Sequence, residues 1–401
     1  MIPRKYSNFL CYCHRLAMNG SNSSLISQSF VNNTNEMQTS AVFVPIFQAI
    51  ASSLVMIASL FGNTLVICVV LQSCRMRTVT NYLIVNMACA DMLYTIVAMP
   101  PLFVSIFNCY AWALATRGRG IYFCKVVNFA QYMLVPVSVL TLAAIAFDRF
   151  FAILMPLKRI INKRVFYWIL LVIWITSLAV ATPTLYSLRV IESNGGLSCD
   201  ENWAPAFDNE TAPMIYMLVL FSVMLCLPLC IITVLYTIIC RHLFLTKPPG
   251  ETEREESKSL IRRRNSRKKV VKMLITVVVI FIVSWLPLQI ANFVYYFDKS
   301  VIHIPEQVYF SCEFLMRSSC ALNPAVYAIF SENYRQGFKK VLVKCCCFGR
   351  MSNFIRKNSS YSSSRQQTVP TILRSELGLS KLGRDSKRCC HDTGVEEEHQ
   401  F

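Results

Sequence analysis

Seven stretches of this chain are each long and apolar enough to cross a lipid bilayer or nearly so, and nothing else limits its fold as strongly. A spanning helix needs about 20 consecutive apolar residues. Inside the bilayer no water satisfies an open backbone, so such a stretch must be helical. The stretches run approximately from Val44 to Leu71, Tyr82 to Phe107, Val126 to Ile153, Val165 to Leu188, Met214 to Cys240, Met273 to Phe297 and Val308 to Phe330. They predict an all-α membrane protein, a seven-transmembrane helix bundle. The chain is 54% hydrophobic and only 15% charged, whereas soluble domains are nearer a quarter charged.

A net charge of +18 would suit a nucleic-acid binder if the protein were soluble, so the placement of the basic residues decides its meaning. Eighteen Lys and Arg lie between Gln72 and Thr80, Arg149 and Arg164, and Arg241 and Lys272. Only five lie between Asn108 and Lys125, Arg189 and Pro213, and Asp298 and Gln307. Basic loops stay in the cytoplasm, which puts the N-terminus outside and the C-terminus inside. The positive charge records topology, and no nucleic-acid partner is expected. Asn-X-Ser/Thr glycosylation sites at Asn19, Asn22, Asn32 and Asn209 fall on the side assigned to the outside, while Asn358 falls inside. Met1 to Gly20 lacks the continuous apolar core of a cleavable signal, so the first span is expected to direct insertion. The chain divides into an extracellular tail (1–43), the membrane domain (44–331), a short segment (332–347) and a cytoplasmic tail (348–401).

Eighteen cysteines would mean a disulfide scaffold in a secreted protein, but most lie within spans or on the inside. Cys124, at the outer start of the third span, and Cys199, after the fourth, are the best-placed oxidisable pair; Cys11, Cys13 and Cys109 are also outside. The five His are scattered, which gives no zinc-binding pattern. After the seventh span, Tyr334, Phe338, Val341 and Leu342 recur at helical spacing among basic residues. That pattern predicts a short amphipathic helix on the membrane surface. Cys345, Cys346 and Cys347 follow as candidates for lipidation. Ser359, Ser360, Ser362, Ser363 and Ser364 lie in a polar tail that is expected to be disordered.

Short motifs appear in order, one or more per span: Gly62-Asn63, NMACAD ending at Asp91, Cys124, DRF from Asp148, Trp174, Pro228, SWLP from Ser284, and NPAVY from Asn323. In this order and spacing the chain closely resembles the rhodopsin-like family of G-protein-coupled receptors, from about Val44 to Cys347. The resemblance implies a receptor that performs no covalent chemistry. It also implies that Asp91, with Ser138, Ser319 and Asn323, holds an allosteric sodium ion, a carboxylate with neutral oxygen donors being apt for a hard cation. The alternative is an Asp91 hydrogen-bonded through water to Asn63 and Asn323. In the family, Asp148 holds Arg149 until activation turns the Arg toward a G protein. Here Phe150 follows where Tyr is usual, and Arg267 stands where some members carry an acid, so no lock between helices onto Arg149 is expected. Pro228, Phe281 and Trp285 are the implied connector from ligand to sixth helix. Pro287 is the kink about which that helix swings, Asn323 and Pro324 belong to the same switch, and Tyr236 and Tyr327 turn inward in the active state.

Related amine receptors pair the ligand amine with an Asp seven residues after the outer Cys; here that residue is Gln131. Opsins carry their retinal lysine six residues before the Asn of Asn-Pro; here that residue is Arg317, which forms no Schiff base. Gln131, with LNPAVY and SENYRQGFKK, most resembles the neuropeptide branch of galanin, neuropeptide Y and RFamide-type receptors. Glu192, Asp200, Glu201, Asp208 and Glu210 face a single basic residue in the loop after the fourth span, which suits a basic peptide. Glu313 and Arg317, four apart, share a face of the seventh helix with Glu nearer its N-terminus, the better order for a pair. They are expected to form the floor of a ligand site with Gln131, Gln289 and Asn292, or else a self-neutralising structural pair. The expected partners are an extracellular neuropeptide, a heterotrimeric G protein, arrestin with receptor kinases, and membrane lipids. The alternatives are a receptor for a lipid or other small molecule, or an opsin-derived receptor without the retinal lysine, and the expected location is the plasma membrane.

Overall fold

Each predicted span is a helix in the computed structural model, which describes residues 29–107, 120–121, 123–155, 160–193, 196–245, 258–297 and 304–344. The expectations for Asn19, Asn22, Asn358, Cys11, Cys13, Cys109, Cys345, Cys346, Cys347 and the tail serines concern residues outside this set. The helices are α1 (Ser29–Gln72), α2 (Val79–Phe107), α3 (Asn128–Leu154, entered through a π turn at Phe123–Val127) and α4 (Lys163–Ser187). Next come α5 (Thr211–Val219, a π segment at Leu220–Cys226, then Leu227–Leu245), α6 (Lys258–Phe297) and α7 (Glu306–Phe330). A last helix, α8, covers 332–344.

α1 begins fifteen residues before its apolar stretch and takes in the tail segment that holds Asn32. Propagating an existing helix costs far less than nucleating one, so polar residues at its mouth join it. The π segment of α5 precedes Pro228. Proline offers no N–H and crowds the carbonyl four residues back, and a wider turn there accommodates both effects. Six helices are long and apolar enough to cross a membrane on composition alone. α7 has the length, 25 residues, but carries Glu313 and Arg317, both turned into the bundle.

α3 is the central helix, packed against α2, α4 and α5, while α7 lies between α1 and α6 and also meets α2. The outer faces are apolar: Tyr167, Trp168, Leu171, Val172, Ile175 and Leu178 of α4 all point outward, as a lipid-facing surface requires. After α4 the chain turns back as a hairpin, β1 (Leu188–Ser193) against β2 (Gly196–Glu201), antiparallel with Leu188 opposite Glu201 and Val190 opposite Cys199. The Cys124–Cys199 disulfide fastens this hairpin to the outer end of α3. α8 buries Tyr334, Phe338 and Val341 and leaves Leu342, Lys339 and Lys340 outside. Its Tyr334 hydroxyl donates to Asn81 Oδ1 of α2 at 3.1 Å, so the surface helix is docked as well as amphipathic.

α1 meets α7 where neither has bulk to spare. A Cβ at Gly62 would lie 2.9 Å from both Cβ and Cγ of Pro324. Alanine gains about 1 kcal/mol in helix propensity over glycine, whereas overpacking costs about 1 to 3 kcal/mol. Pro324 is a rigid ring, so the steric cost wins. Gly62→Ala should lower the unfolding temperature of the purified protein and Gly62→Val should lower it further; a rise with alanine would show that the two helices separate easily.

Candidate functional site

The polar side chains of the interior form three layers. In the cytoplasmic layer, α3 ends with Asp148 buried and Arg149 beside it. Arg149 donates to Asp148 Oδ2 through Nε at 3.1 Å and through Nη2 at 2.6 Å. Thr80, in the first turn of α2, bonds to both Asp148 and Arg149. This closes a three-residue cluster between α2 and α3. The sequence points to Asp148 and Arg149 but carries no signal for Thr80. Arg267 of α6 is exposed, in keeping with its inability to pair with Arg149.

The middle layer is built on Asp91. Its carboxylate accepts from Ser138 of α3 at 3.2 Å and from Asn323 Nδ2 of α7 at 2.9 Å. Both residues are among those that the sequence assigns to it. Ser319 lines the same cavity, although its hydroxyl donates to the Met316 carbonyl at 2.7 Å. Asn63 donates to the Ser59 and Cys320 carbonyls, at 2.9 and 3.0 Å, and so joins α1 to α7 rather than reaching Asp91. Phe281 and Trp285 of α6, stacked with ring centroids 5.2 Å apart, form the opposite wall. Tyr236, Tyr327 and Pro228 are all buried within the bundle. Nearby, Asn86 accepts from Trp174 Nε1 at 3.1 Å and donates to Thr141 at 2.9 Å, which ties α2, α3 and α4 together.

The outer layer holds the pair that the sequence places on one face of α7. Arg317 Nη2 lies 3.3 Å from Glu313 Oε2, and each residue is less than a tenth exposed. Arg317 Nη1 reaches across to the Ala98 carbonyl of α2 at 3.3 Å, a link that the sequence does not signal. Arg317 Nε is buried with no partner among the described residues. Asn292 accepts from the Tyr309 hydroxyl at 3.0 Å, joining α6 to α7. Gln131 and Gln289 are half-buried, and among the described residues no hydrogen bond links either to Glu313 or Arg317.

Above this layer the hairpin contributes Glu201. One carboxylate oxygen accepts from Trp203 Nε1 at 2.7 Å and the other from the Tyr296 hydroxyl of α6 at 2.9 Å. The sequence assigns Glu201 to a general acidic surface; the disulfide two residues earlier instead holds it against the bundle. Trp203 is buried and packs on Tyr216 and Phe207. Asp208 accepts from the backbone and hydroxyl of Thr211 and from the Glu210 amide, bonds that hold its carboxyl below the usual range. Asn209, which is exposed, accepts through Oδ1 from the Trp203 and Ala204 amides at 2.6 and 3.2 Å.

Burial pushes the Glu201 carboxyl above the usual carboxylate range, against the opposing hydrogen bonds from Trp203 and Tyr296. The folded protein thus holds that proton more tightly than the unfolded chain does. The stability it contributes is full below the ordinary carboxylate pKa and is lost as pH rises through the raised one. The unfolding temperature of the wild type relative to Glu201→Gln should fall as pH is raised across that window. A difference that stays flat or rises would place Glu201 in ordinary solvent.

The sequence pattern described as "7 transmembrane receptor (rhodopsin family)" matches residues 62–327. The substance-P receptor of Aquarana catesbeiana is 30% identical over 358 residues, which cover 86% of this chain and 85% of that relative. The RYamide receptor of Drosophila melanogaster is 31% identical over 83% of this chain and 74% of its own length. The substance-P receptor of Homo sapiens is 28% identical over 87% and 85% respectively. Seven membrane helices, a polar interior built on Asp91 and Asn323, and this match over most of the bundle agree: the chain belongs to the rhodopsin family of seven-transmembrane receptors, multi-pass membrane proteins that are receptors rather than enzymes.

Proposed function

We propose that this receptor lies in the plasma membrane with its N-terminus outside, binds an extracellular neuropeptide and promotes nucleotide exchange on a heterotrimeric G protein. The match to receptors named for substance P and RYamide, over more than four-fifths of the chain, carries the peptide reading. Gln131 in place of the Asp of amine receptors and a permanently charged Arg317 in place of the lysine of opsins support it from within the site. The ligand enters beneath the hairpin. Its basic group engages Glu313, and Gln131, Gln289 and Asn292 supply neutral hydrogen bonds from α3 and α6.

Ligand contact reaches the cytoplasm through α6. Phe281 and Trp285 shift together as a stacked unit, and α6 swings about Pro287, where the missing N–H weakens the helix. Asn323, Pro324 and Tyr327 rearrange beside it, and Tyr236 turns inward. Arg149 then leaves Asp148 and Thr80 and faces the G protein. Arrestin, after receptor kinases act on the tail serines, and lipids around Cys345 to Cys347 complete the set of partners.

A sodium ion fits the middle layer. One carboxylate with the oxygens of Ser138, Ser319 and Asn323 around a cavity is a donor set for a hard monovalent cation, and a single Asp gives little hold on a divalent one. When bound, the ion neutralises Asp91 and favours the resting packing.

A calcium and cyclic-AMP screen against a neuropeptide library tests the ligand. Silence toward every peptide with a response to a lipid or amine would overturn the peptide reading and leave the receptor. With the active peptide in hand, Glu313→Gln should reduce potency at least tenfold while surface expression holds, because a charge-assisted hydrogen bond is worth about 1.5 to 3 kcal/mol. Loss of expression alone would mark the pair as structural. The cytoplasmic cluster gives a separate expectation. Thr80→Ala removes one partner of both Asp148 and Arg149 and should raise ligand-independent nucleotide exchange several-fold; unchanged basal exchange at equal expression would show that Thr80 does not hold the resting state.

A further inference from the structure

Arg317 is held between two helices that both lead to the Asp91 cavity. On α7 it precedes the cavity-lining Ser319 and Cys320 by two and three residues. On α2 its Nη1 contact, Ala98, stands seven residues outward of Asp91, and the buried Tyr94 between them lines the cavity as well. Seven residues of helix span about 10 Å, so the guanidinium lies about that far from the carboxylate. Glu313 stands one turn further out along α7. The pair is therefore a fixed dipole with its positive end toward the cavity. Arg317 is anchored there by the Ala98 carbonyl.

We propose that the Glu313–Arg317 pair sets the affinity of the Asp91 cavity for its cation, and that a ligand group which draws Glu313 away from Arg317 weakens the cavity's hold on sodium. The inference rests on the sodium reading above and adds the residues that regulate that site from the ligand side. With Glu313 in place its negative charge offsets most of the repulsion between Arg317 and a cation below. Once Glu313 is neutralised or engaged by a basic ligand, Arg317 keeps its charge and its contact with Ala98. A full positive charge about 10 Å away, at an effective dielectric of about 20, then opposes the cation by roughly tenfold in affinity. Coupling of this kind is reciprocal, so sodium opposes the ligand by the same factor.

The test needs no ligand. The full chain, purified in detergent, is unfolded thermally across a titration of sodium chloride against choline chloride at constant ionic strength. The wild type should be stabilised by sodium with a definite midpoint, and Asp91→Asn should show no sodium-specific rise. Glu313→Gln should move the midpoint about tenfold toward higher sodium. The exchange Glu313→Arg with Arg317→Glu keeps a pair and the net charge but puts the negative end nearer the cavity, and should move the midpoint severalfold lower. If Glu313→Gln does not fold, the exchange variant decides alone. Wild-type midpoints in the variants that fold would overturn the coupling while leaving sodium at Asp91. Absence of a sodium-specific response in the wild type, or its survival in Asp91→Asn, would overturn the sodium reading and the coupling with it.

Discussion

A polar group facing hydrocarbon has no water to fall back on, and this bundle is arranged around meeting that requirement. Ser59 bonds Thr95, Asn63 bonds the Cys320 carbonyl, Asn86 joins Thr141 and Trp174, Asp91 joins Ser138 and Asn323, and Arg317 takes the Ala98 carbonyl. Every one of these links runs among α1, α2, α3, α4 and α7. Directional bonds fix the rotation and height of each helix against its neighbours, so these five elements form a scaffold with one register.

α6 meets that scaffold on different terms. Its inner half presents Val271, Leu274, Val277, Val278 and Phe281 to the bundle, all buried and all apolar. In a bilayer such contacts gain by packing alone, because lipid chains are as apolar as the partner helix. Packing of this kind tolerates sliding and rotation that a hydrogen bond does not. The named polar contacts of α6 are at its outer end, Tyr296 with Glu201 and Asn292 with Tyr309. The apolar packing of the inner half, with Pro287 weakening the helix above it, suits α6 to the pivot proposed for it. The cytoplasmic cluster of Thr80, Asp148 and Arg149 belongs to the scaffold side, between α2 and α3.

The spans were legible in the sequence because hydrocarbon thickness imposes a length and a composition that few other constraints mimic. The Glu313–Arg317 pair was legible from helical period alone, and the grouping of Asp91, Ser138 and Asn323 from the resemblance to the receptor family. What the sequence hid are contacts set by how helices lean on one another. Ala98 contributes a backbone carbonyl, which has no residue signature, and Thr80 is an ordinary helix-start residue until α3 is packed beside it. Glu201 was read as one of five acids on a surface; its position two residues after Cys199 was the available clue, since a disulfide to α3 leaves it little freedom to face solvent. The start of α1 at Ser29 was missed for the opposite reason: helix propagation follows local energetics, whereas hydropathy sees only the apolar part.

Both acids most suited to a basic ligand are already engaged. Glu201 holds Tyr296 and Trp203, and Glu313 holds Arg317. A cationic peptide acting here would therefore gain only the difference between its own bonds and those it displaces, which would limit affinity but sharpen choice. A neutral ligand of the same shape would have to leave these pairs intact or strand their partners in a dry site, at a cost of several kcal/mol for a buried charge. Such displacement would also make binding informative to the rest of the protein. A ligand shifts a conformational equilibrium only by its differential affinity for the two states, and breaking the Tyr296–Glu201 bond would free the outer end of α6, whose inner half packs through apolar side chains.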